Sequence, residues 1–303
     1  MKEVVLITGA GGLVAKVLAK KLENEYSVRF LTRTKRHENE FEWNIKNQTI
    51  DENAFENVSH IIHLAGANIS EKRWTDERKK EIITSRVDSA QLILKNLQKK
   101  NILLKTFISA SAVGIYGAIT SHKIFKEHDE KGNDFLSEVV LLWEKAADEF
   151  SKKNIAERVV KIRTSIILSE KEGALKKMSV PIKYGIGSPI GTGKQWIPWI
   201  HIDDLCSVYQ FALKNESMNG AYNASAPQHA DNENFTKEIA RVLDKPMFMP
   251  NIPGFVMKLI FGELSVALLE GSRTSSEKLL NEGFQFEFPD LKLALENLLI
   301  KKN

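Results

Sequence analysis

The chain has one cysteine in 303 residues, Cys206, so an internal disulfide is excluded and a reducing compartment is expected. Cys206 sits in Asp203-Asp204-Leu205-Cys206 at a helix start, where it reads as a buried structural thiol rather than a nucleophile. No stretch approaches the ~20 apolar residues of a membrane span. The chain enters a strand at once, which leaves no room for a signal peptide. A cytoplasmic protein without a membrane partner is therefore expected. Charge of one sign is also scarce: the net charge is +4 and unclustered, which implies no nucleic acid. The seven histidines are scattered, and His60 and His63 fall on opposite faces of one strand, so no metal site is expected. No internal repeat or low-complexity linker appears. Apolar content of 43% suits a globular protein.

The most informative stretch is Val4 to Ala15. Val4 to Ile7 is too short for a helix and suits a strand buried on both faces. A glycine-rich turn, Thr8 to Gly12, follows, and Leu13 to Leu22 has helical periodicity. Such a strand, turn and helix form a phosphate site, because backbone N–H groups point outward at the positive end of the helix. Gly9 permits the sharp turn, Gly12 lets the backbone approach a diphosphate, and Ala15 allows close packing of helix on strand. Gly9, Ala10, Gly11, Gly12, Leu13 and Val14 are therefore expected to bind a dinucleotide. No Gly-Lys-Ser/Thr ends the turn, so a P-loop hydrolase is excluded. The second strand, Ser27 to Thr32, runs into Arg33-Thr34-Lys35-Arg36. No acid lies at residues 31 to 37 to hold a ribose 2′-hydroxyl, whereas a guanidinium suits a 2′-phosphate. Arg33, with Thr34 and Lys35, thus points to NADP.

Strands and helices alternate onward. Arg36 to Asn53 is polar, with a short strand near Gln48 to Ile50. Strands are expected at Ser59 to Leu64, Leu104 to Ala110 and Arg158 to Leu168. Helices are expected at Thr75 to Lys99 and Phe135 to Phe150. This alternation implies an α/β fold, a doubly wound parallel sheet of Rossmann type. From about Glu170 the character changes, and Gly185, Gly187, Gly191 and Gly193 with Pro189 make a loop. Trp196 to Ile202 then reads as a strand entering a helix at Asp203, and Ala221 to Ala224 as the last sheet strand. A helix over Asp231 to Leu243 follows, then a proline-broken stretch and short helices, the last from Pro289 to Lys301. The reading divides the chain into a dinucleotide-binding core, 1–169 with 196–226 returning to it, and a smaller, mostly helical C-terminal lobe, 170–195 and 227–303.

The Thr-Gly-x-x-Gly-x-x-Ala turn and Ser109-Ala110-Ser111-Ala112-Val113-Gly114-Ile115-Tyr116-Gly117 resemble the extended short-chain dehydrogenase/reductase superfamily. His63-Leu64-Ala65-Gly66-Ala67, Arg73-Trp74-Thr75, Ser85-Arg86-Val87, Arg163 to Leu168, Trp199 to Leu205 and Gly283-Phe284 are similar to an atypical, epimerase-like branch with a characteristic C-terminal segment. The resemblance implies cofactor contacts at Leu64, Ala65, Gly66, Ala67, Arg86, Ser109, Ile166 and Ile167. It also implies that Ser111 hydrogen-bonds a substrate hydroxyl or carbonyl.

One departure matters. The superfamily uses a Tyr-x-x-x-Lys pair, with the phenol as general acid or base. None of the five tyrosines has a lysine four residues on, and the matching helix carries Trp143 or Glu144 where the lysine would be. Tyr116 and Glu144 are the candidates to serve instead. Arg73 and Arg86 are candidates to hold an anionic group, and Trp196 and Trp199 to line a pocket. His201 with Asp203-Asp204 reads as a capped helix start, with a His–Asp relay as the alternative. The resulting expectation is an NADP-binding oxidoreductase or epimerase-like protein acting on a small substrate, a nucleotide sugar or other anionic carbonyl compound. The alternative is a non-enzymatic NADP-binding regulator or scaffold. A homodimer is compatible with either.

Overall fold

Five apolar or hydroxylated residues in a row, Val4–Thr8, are each wholly or nearly buried, as a strand covered on both faces requires. The computed structural model describes residues 2–300. In order, its elements are β1 (Val4–Thr8), α1 (Leu13–Leu22), β2 (Ser27–Thr32), β3 (Glu40–Asn44), β4 (Thr49–Ile50), β5 (Val58–His63), α2 (Asp76–Lys99), β6 (Leu104–Ala112), β7 (Ile124–Phe125) and α3 (Phe135–Lys152). They continue with β8 (Ala156–Thr164), β9 (Ile166–Leu168), α4 (Ala174–Lys183), β10 (Trp199–His201), α5 (Ile202–Lys214), β11 (Gly220–Ala224) and α6 (Asn232–Val242). The remainder are α7 (Gly254–Phe261), α8 (Val266–Leu269), β12 (Arg273–Thr274), α9 (Glu277–Asn281) and α10 (Leu291–Leu299).

The main sheet has eight strands in the order β11-β8-β6-β5-β1-β2-β3-β4. Every pair is parallel except β3 with β4. Strand alternation divides the core in two. Val5 and Ile7 pack with Leu18 of α1 and Leu205 of α5, whereas Leu6, Ile61 and Phe107 face Leu94 of α2 and Phe150 of α3. The order reverses between β1 and β5, and a doubly wound sheet leaves a crevice there, outside the carboxyl ends of its strands. The fold is thus a Rossmann-type α/β sheet with a helical C-terminal region.

Three stretches differ from the sequence reading. Glu40–Asn44 is a strand at the polar edge of the sheet, where only Phe41 and Trp43 are apolar. Arg158 to Leu168 is two strands rather than one. After Thr164 the Ser165 N–H donates to the Ala224 carbonyl, and Ile166 then leaves the main sheet to pair with Trp199 in β10. His201, rather than Asp203 or Asp204, caps α5: its Nδ1 accepts the Asp203 N–H at 3.1 Å, and its ring stacks on Phe288. The part of the last helix expected at Lys301 lies outside the described residues.

Candidate functional site

The carboxyl ends of β1 and β5 are pinned together by one hydroxyl. Thr8 Oγ1 accepts the Leu64 N–H at 3.0 Å and the Ala65 N–H at 2.9 Å. With its lone pairs used, its hydrogen points to His63 Nδ1, 3.0 Å away. The imidazole proton is therefore assigned to Nε2, which faces Ser89 Oγ at 3.1 Å. Burial holds His63 down at about 4, so it is neutral. Ser85 Oγ fixes the next residue of the loop by accepting the Ala67 N–H at 2.9 Å.

Against this loop lies the glycine turn. Gly9 has φ +77°, and a Cβ there would meet the Leu64 and Ala65 backbone at 3.3 Å, so the position requires glycine. Gly11 has open space around it. Gly12 caps α1, no side chain accepts from the first turn, and no acid sits in that turn. The first N–H groups of the helix and the positive end of its dipole are therefore left free for an anion, as the residue pattern of a diphosphate cradle requires. Arg33, Thr34 and Lys35 are exposed beyond β2. Two carboxylates that the sequence reading did not place there shape this segment. Glu42 accepts the Lys35 N–H at 2.9 Å, and Glu40 accepts the Arg36 N–H at 2.6 Å.

At the far side of the crevice, register places Ser111, Arg163 and Asn223 in one row across β6, β8 and β11. Ser111 donates to Glu144 Oε1 at 2.6 Å. Arg163 grips the same carboxylate twice, Nε to Oε1 at 2.8 Å and Nη2 to Oε2 at 2.9 Å. Its Nη1 donates to the Tyr116 oxygen at 3.0 Å and to the Glu127 carbonyl at 2.9 Å. Burial pushes the Glu144 carboxyl up, but the bonds and charge of Arg163 and the Ser111 hydroxyl outweigh it and hold it below the usual carboxylate range. Glu144 is thus a buried, ionised group rather than a surface glutamate.

Tyr116 does not present a phenol to the crevice. It is fully buried, stacks on Phe125, and donates to Asn223 Oδ1 at 2.7 Å. Burial pushes it up to about 12. It closes the network and has no free edge from which to donate a proton. Arg73 is likewise committed elsewhere: it bonds the Leu259 and Ile260 carbonyls at the end of α7, tying the loop before α2 to the C-terminal region. Trp199 is a core residue bonded to the Gln228 carbonyl, while Trp196 bonds the Ser121 carbonyl and carries Arg273 over its ring at 4.6 Å. Cys206 is buried, and burial raises its thiol to about 12. Sequence reasoning missed Arg163 and Asn223, because a single arginine or asparagine in a strand carries no local signal of its partners. A cavity of about 370 Å³ opens between the loop after Tyr116, at Thr120, and residues Gly191, Thr192, Gly254, Phe255, Lys258, Leu269 and Glu270.

Comparison with known proteins bears on this geometry. A family model described as the NAD dependent epimerase/dehydratase family matches residues 5–225, and one described as a domain of unknown function, DUF1731, matches 252–298. The chain is 34% identical to Epimerase family protein SAR0825 of Staphylococcus aureus over 300 residues, 98% of this chain and 99% of that one. It is 37% identical to Epimerase family protein YfhF of Bacillus subtilis over 238 residues, 78% of this chain and 77% of the relative. Among solved structures, the human epimerase family protein SDR39U1 with NADPH superposes with a TM-score of 0.87 at 29% identity, covering 97% of this chain and 98% of that one.

Proposed function

The chain belongs to the NAD dependent epimerase/dehydratase family, and from that premise we propose that it is an NADP-dependent oxidoreductase or epimerase of the cytoplasm acting on a small anionic carbonyl compound or nucleotide sugar. Gly9 to Val14 hold the diphosphate, Arg33 with Thr34 and Lys35 holds the 2′-phosphate, and Leu64 to Ala67, Ser109, Ile166 and Ile167 flank the rest of the cofactor. The cofactor supplies the hydride acceptor or donor. The human SDR39U1 structure with NADPH supports the choice of cofactor.

The observation that carries the catalytic part is the buried Ser111–Glu144–Arg163 chain. Because the Ser111 hydrogen is committed to Glu144, its oxygen offers a lone pair to a substrate hydroxyl. As that hydroxyl is oxidised, Ser111 takes its proton and passes its own to Glu144; the reverse sequence protonates a carbonyl. A carboxylate held low by Arg163 is a weak base, so the step is slower than with a tuned phenol.

The test is NADPH oxidation and NADP reduction over a panel of carbonyl compounds, alcohols and nucleotide sugars, with native protein, Ser111→Ala and Glu144→Gln. Turnover that falls roughly 100-fold or more in both variants with cofactor affinity retained supports the relay. One observation favours a second reading, an NADP-binding regulator: the Tyr116 phenol is sealed in, so the chain has no ordinary proton donor at this position. Tight cofactor binding without turnover on any compound would select that reading.

A further inference from the structure

The four most exposed large apolar side chains among the described residues are Tyr184 (80%), Leu259 (76%), Phe248 and Phe255 (72% each), and Ile186 follows at 58%. All five fall in two segments: the end of α4 with the loop after it, and the stretch from Lys245 through α7. These segments are joined side by side. Ile190 bridges Ile252 in parallel, the Gly191 N–H donates to the Ile252 carbonyl at 2.8 Å, and the Ile252 N–H donates to the Pro189 carbonyl at 2.9 Å. Ser188 Oγ donates to the Pro250 carbonyl in the same register, which sets Ile186 opposite Phe248. Phe255 and Leu259 then sit four residues apart on one face of α7, and Phe255 borders the same cavity as Gly191 and Thr192. The five side chains thus form one apolar surface rather than the scattered single groups that any protein exposes.

The charge on this surface is of one sign. Residues 173–194 and 245–262 hold Lys176, Lys177, Lys183, Lys194, Lys245 and Lys258, and no aspartate, glutamate or arginine, in a chain whose 43 basic and 39 acidic residues otherwise nearly balance. All six lysines are exposed, and among the described residues none is in an ion pair. The bordering carboxylates are taken by other lysines, Glu263 by Lys79 and Glu233 by Lys237. Glu270 is the one acid on the cavity wall. Protein–protein interfaces are enriched in arginine and depleted of lysine, so this composition argues against a protein partner. A bilayer suits it: the Phe, Tyr and Leu side chains enter the acyl boundary, while flexible lysine stems keep their ammonium groups at the lipid phosphates.

We infer that this face docks the protein reversibly on an anionic lipid bilayer, with α7 and the loop after α4 at the headgroup level. The expectation of no membrane partner came from the lack of a long apolar run, and no helix of the described residues is long and apolar enough to cross a membrane. A docking surface needs no such run, because folding assembles it from two segments distant in the chain. The cavity mouth, with Phe255 and Lys258 on its wall, borders the docked face. Each lysine held at the negative surface of a bilayer strengthens binding about fivefold, and salt screens that attraction.

The experiment is co-sedimentation of the full chain with phosphatidylcholine vesicles made with and without phosphatidylglycerol, at low and high salt. Native protein pellets with the anionic vesicles at low salt, less at high salt, and stays in solution with phosphatidylcholine alone. Two variants separate the contributions. Replacing Lys183, Lys245 and Lys258 together with glutamine weakens binding to anionic vesicles about a hundredfold, at about fivefold per lysine. Replacing Phe248, Phe255 and Leu259 together with serine removes the apolar anchor and abolishes sedimentation at either salt. Melting temperatures check folding, and both variants melt near the native protein because the replaced side chains are exposed. Should the serine variant unfold, the glutamine variant and the salt dependence carry the test. The inference is overturned if native protein stays in solution with anionic vesicles, or if native protein and both folded variants sediment alike. It is also overturned if native protein ignores vesicles but is dimeric by light scattering while the serine variant is monomeric, which assigns the face to a second copy of the chain.

Discussion

Replacing Arg163 with methionine keeps the apolar stem and removes the charge. Glu144 would then remain 7% exposed with only the Ser111 hydroxyl as a partner, and the Tyr116 oxygen and Glu127 carbonyl would each lose a donor. Removing one partner of a buried ion pair costs about 3–5 kcal/mol, a large share of the ~5–15 kcal/mol that holds a domain folded. The pH dependence is more diagnostic. In the native protein the folded pKa of Glu144 is depressed, so its contribution is present above the unfolded value and lost as pH falls through the folded one. Without Arg163, burial, the largest effect on Glu144, is opposed only by the Ser111 hydrogen bond and the Lys161 charge, so the folded pKa rises above the unfolded value and the sign reverses. The penalty is then largest at neutral pH and shrinks as acid protonates Glu144, by up to about 1.4 kcal/mol per pH unit across that window. Urea unfolding of native and Arg163→Met protein at pH 7.5 and 5 measures both effects. Adding Glu144→Gln to Arg163→Met should recover part of the loss, because the stranded charge is gone. A deficit under about 1 kcal/mol, or one that grows toward acid, would refute the assignment of a buried ionic pair.

Two further outcomes follow from the crevice. Arg33→Ala should weaken NADPH roughly ten- to hundred-fold while leaving NADH nearly unchanged; equal losses in titrations of both would remove the 2′-phosphate assignment. His63 is depressed to about 4 by burial from an ordinary 6.5, so the stability it contributes is complete above pH 6.5 and drains away as pH falls to 4. That drop amounts to about 3 kcal/mol. His63→Gln should flatten the stability–pH curve in that window, and curves that stay parallel would contradict the buried neutral imidazole.

Local pattern was enough for some elements. The limits of α1 and β2 match the sequence reading because each has a strong period and a clear end: a glycine turn before α1, a basic turn after β2. The strand Glu40–Asn44 escaped because it lies toward the sheet edge with acids at Glu40 and Glu42, so it looks like loop. The break at Ser165 is invisible in an apolar run that continues to Leu168; it arises because Ile166 finds a different neighbour, Trp199. The glycine turn was legible because Gly9 to Gly12 are consecutive residues between a buried strand and a helix. The Ser111–Glu144–Arg163 chain was only partly so. Ser111 and Glu144 were named separately, but Arg163 enters from a strand 19 residues beyond Glu144, and only strand register brings it opposite Ser111. Tyr116 was misjudged for the complementary reason. Its place after β6 suggested an open loop, yet the packing of Phe125 and Asn223 closes over it.

The most direct test of the account is calorimetric titration of pure, folded protein with NADPH and with NADH. The glycine turn and its basic neighbour predict one saturable site per chain that holds NADPH at least about tenfold more tightly than NADH. Absence of binding by both at millimolar concentration would contradict it.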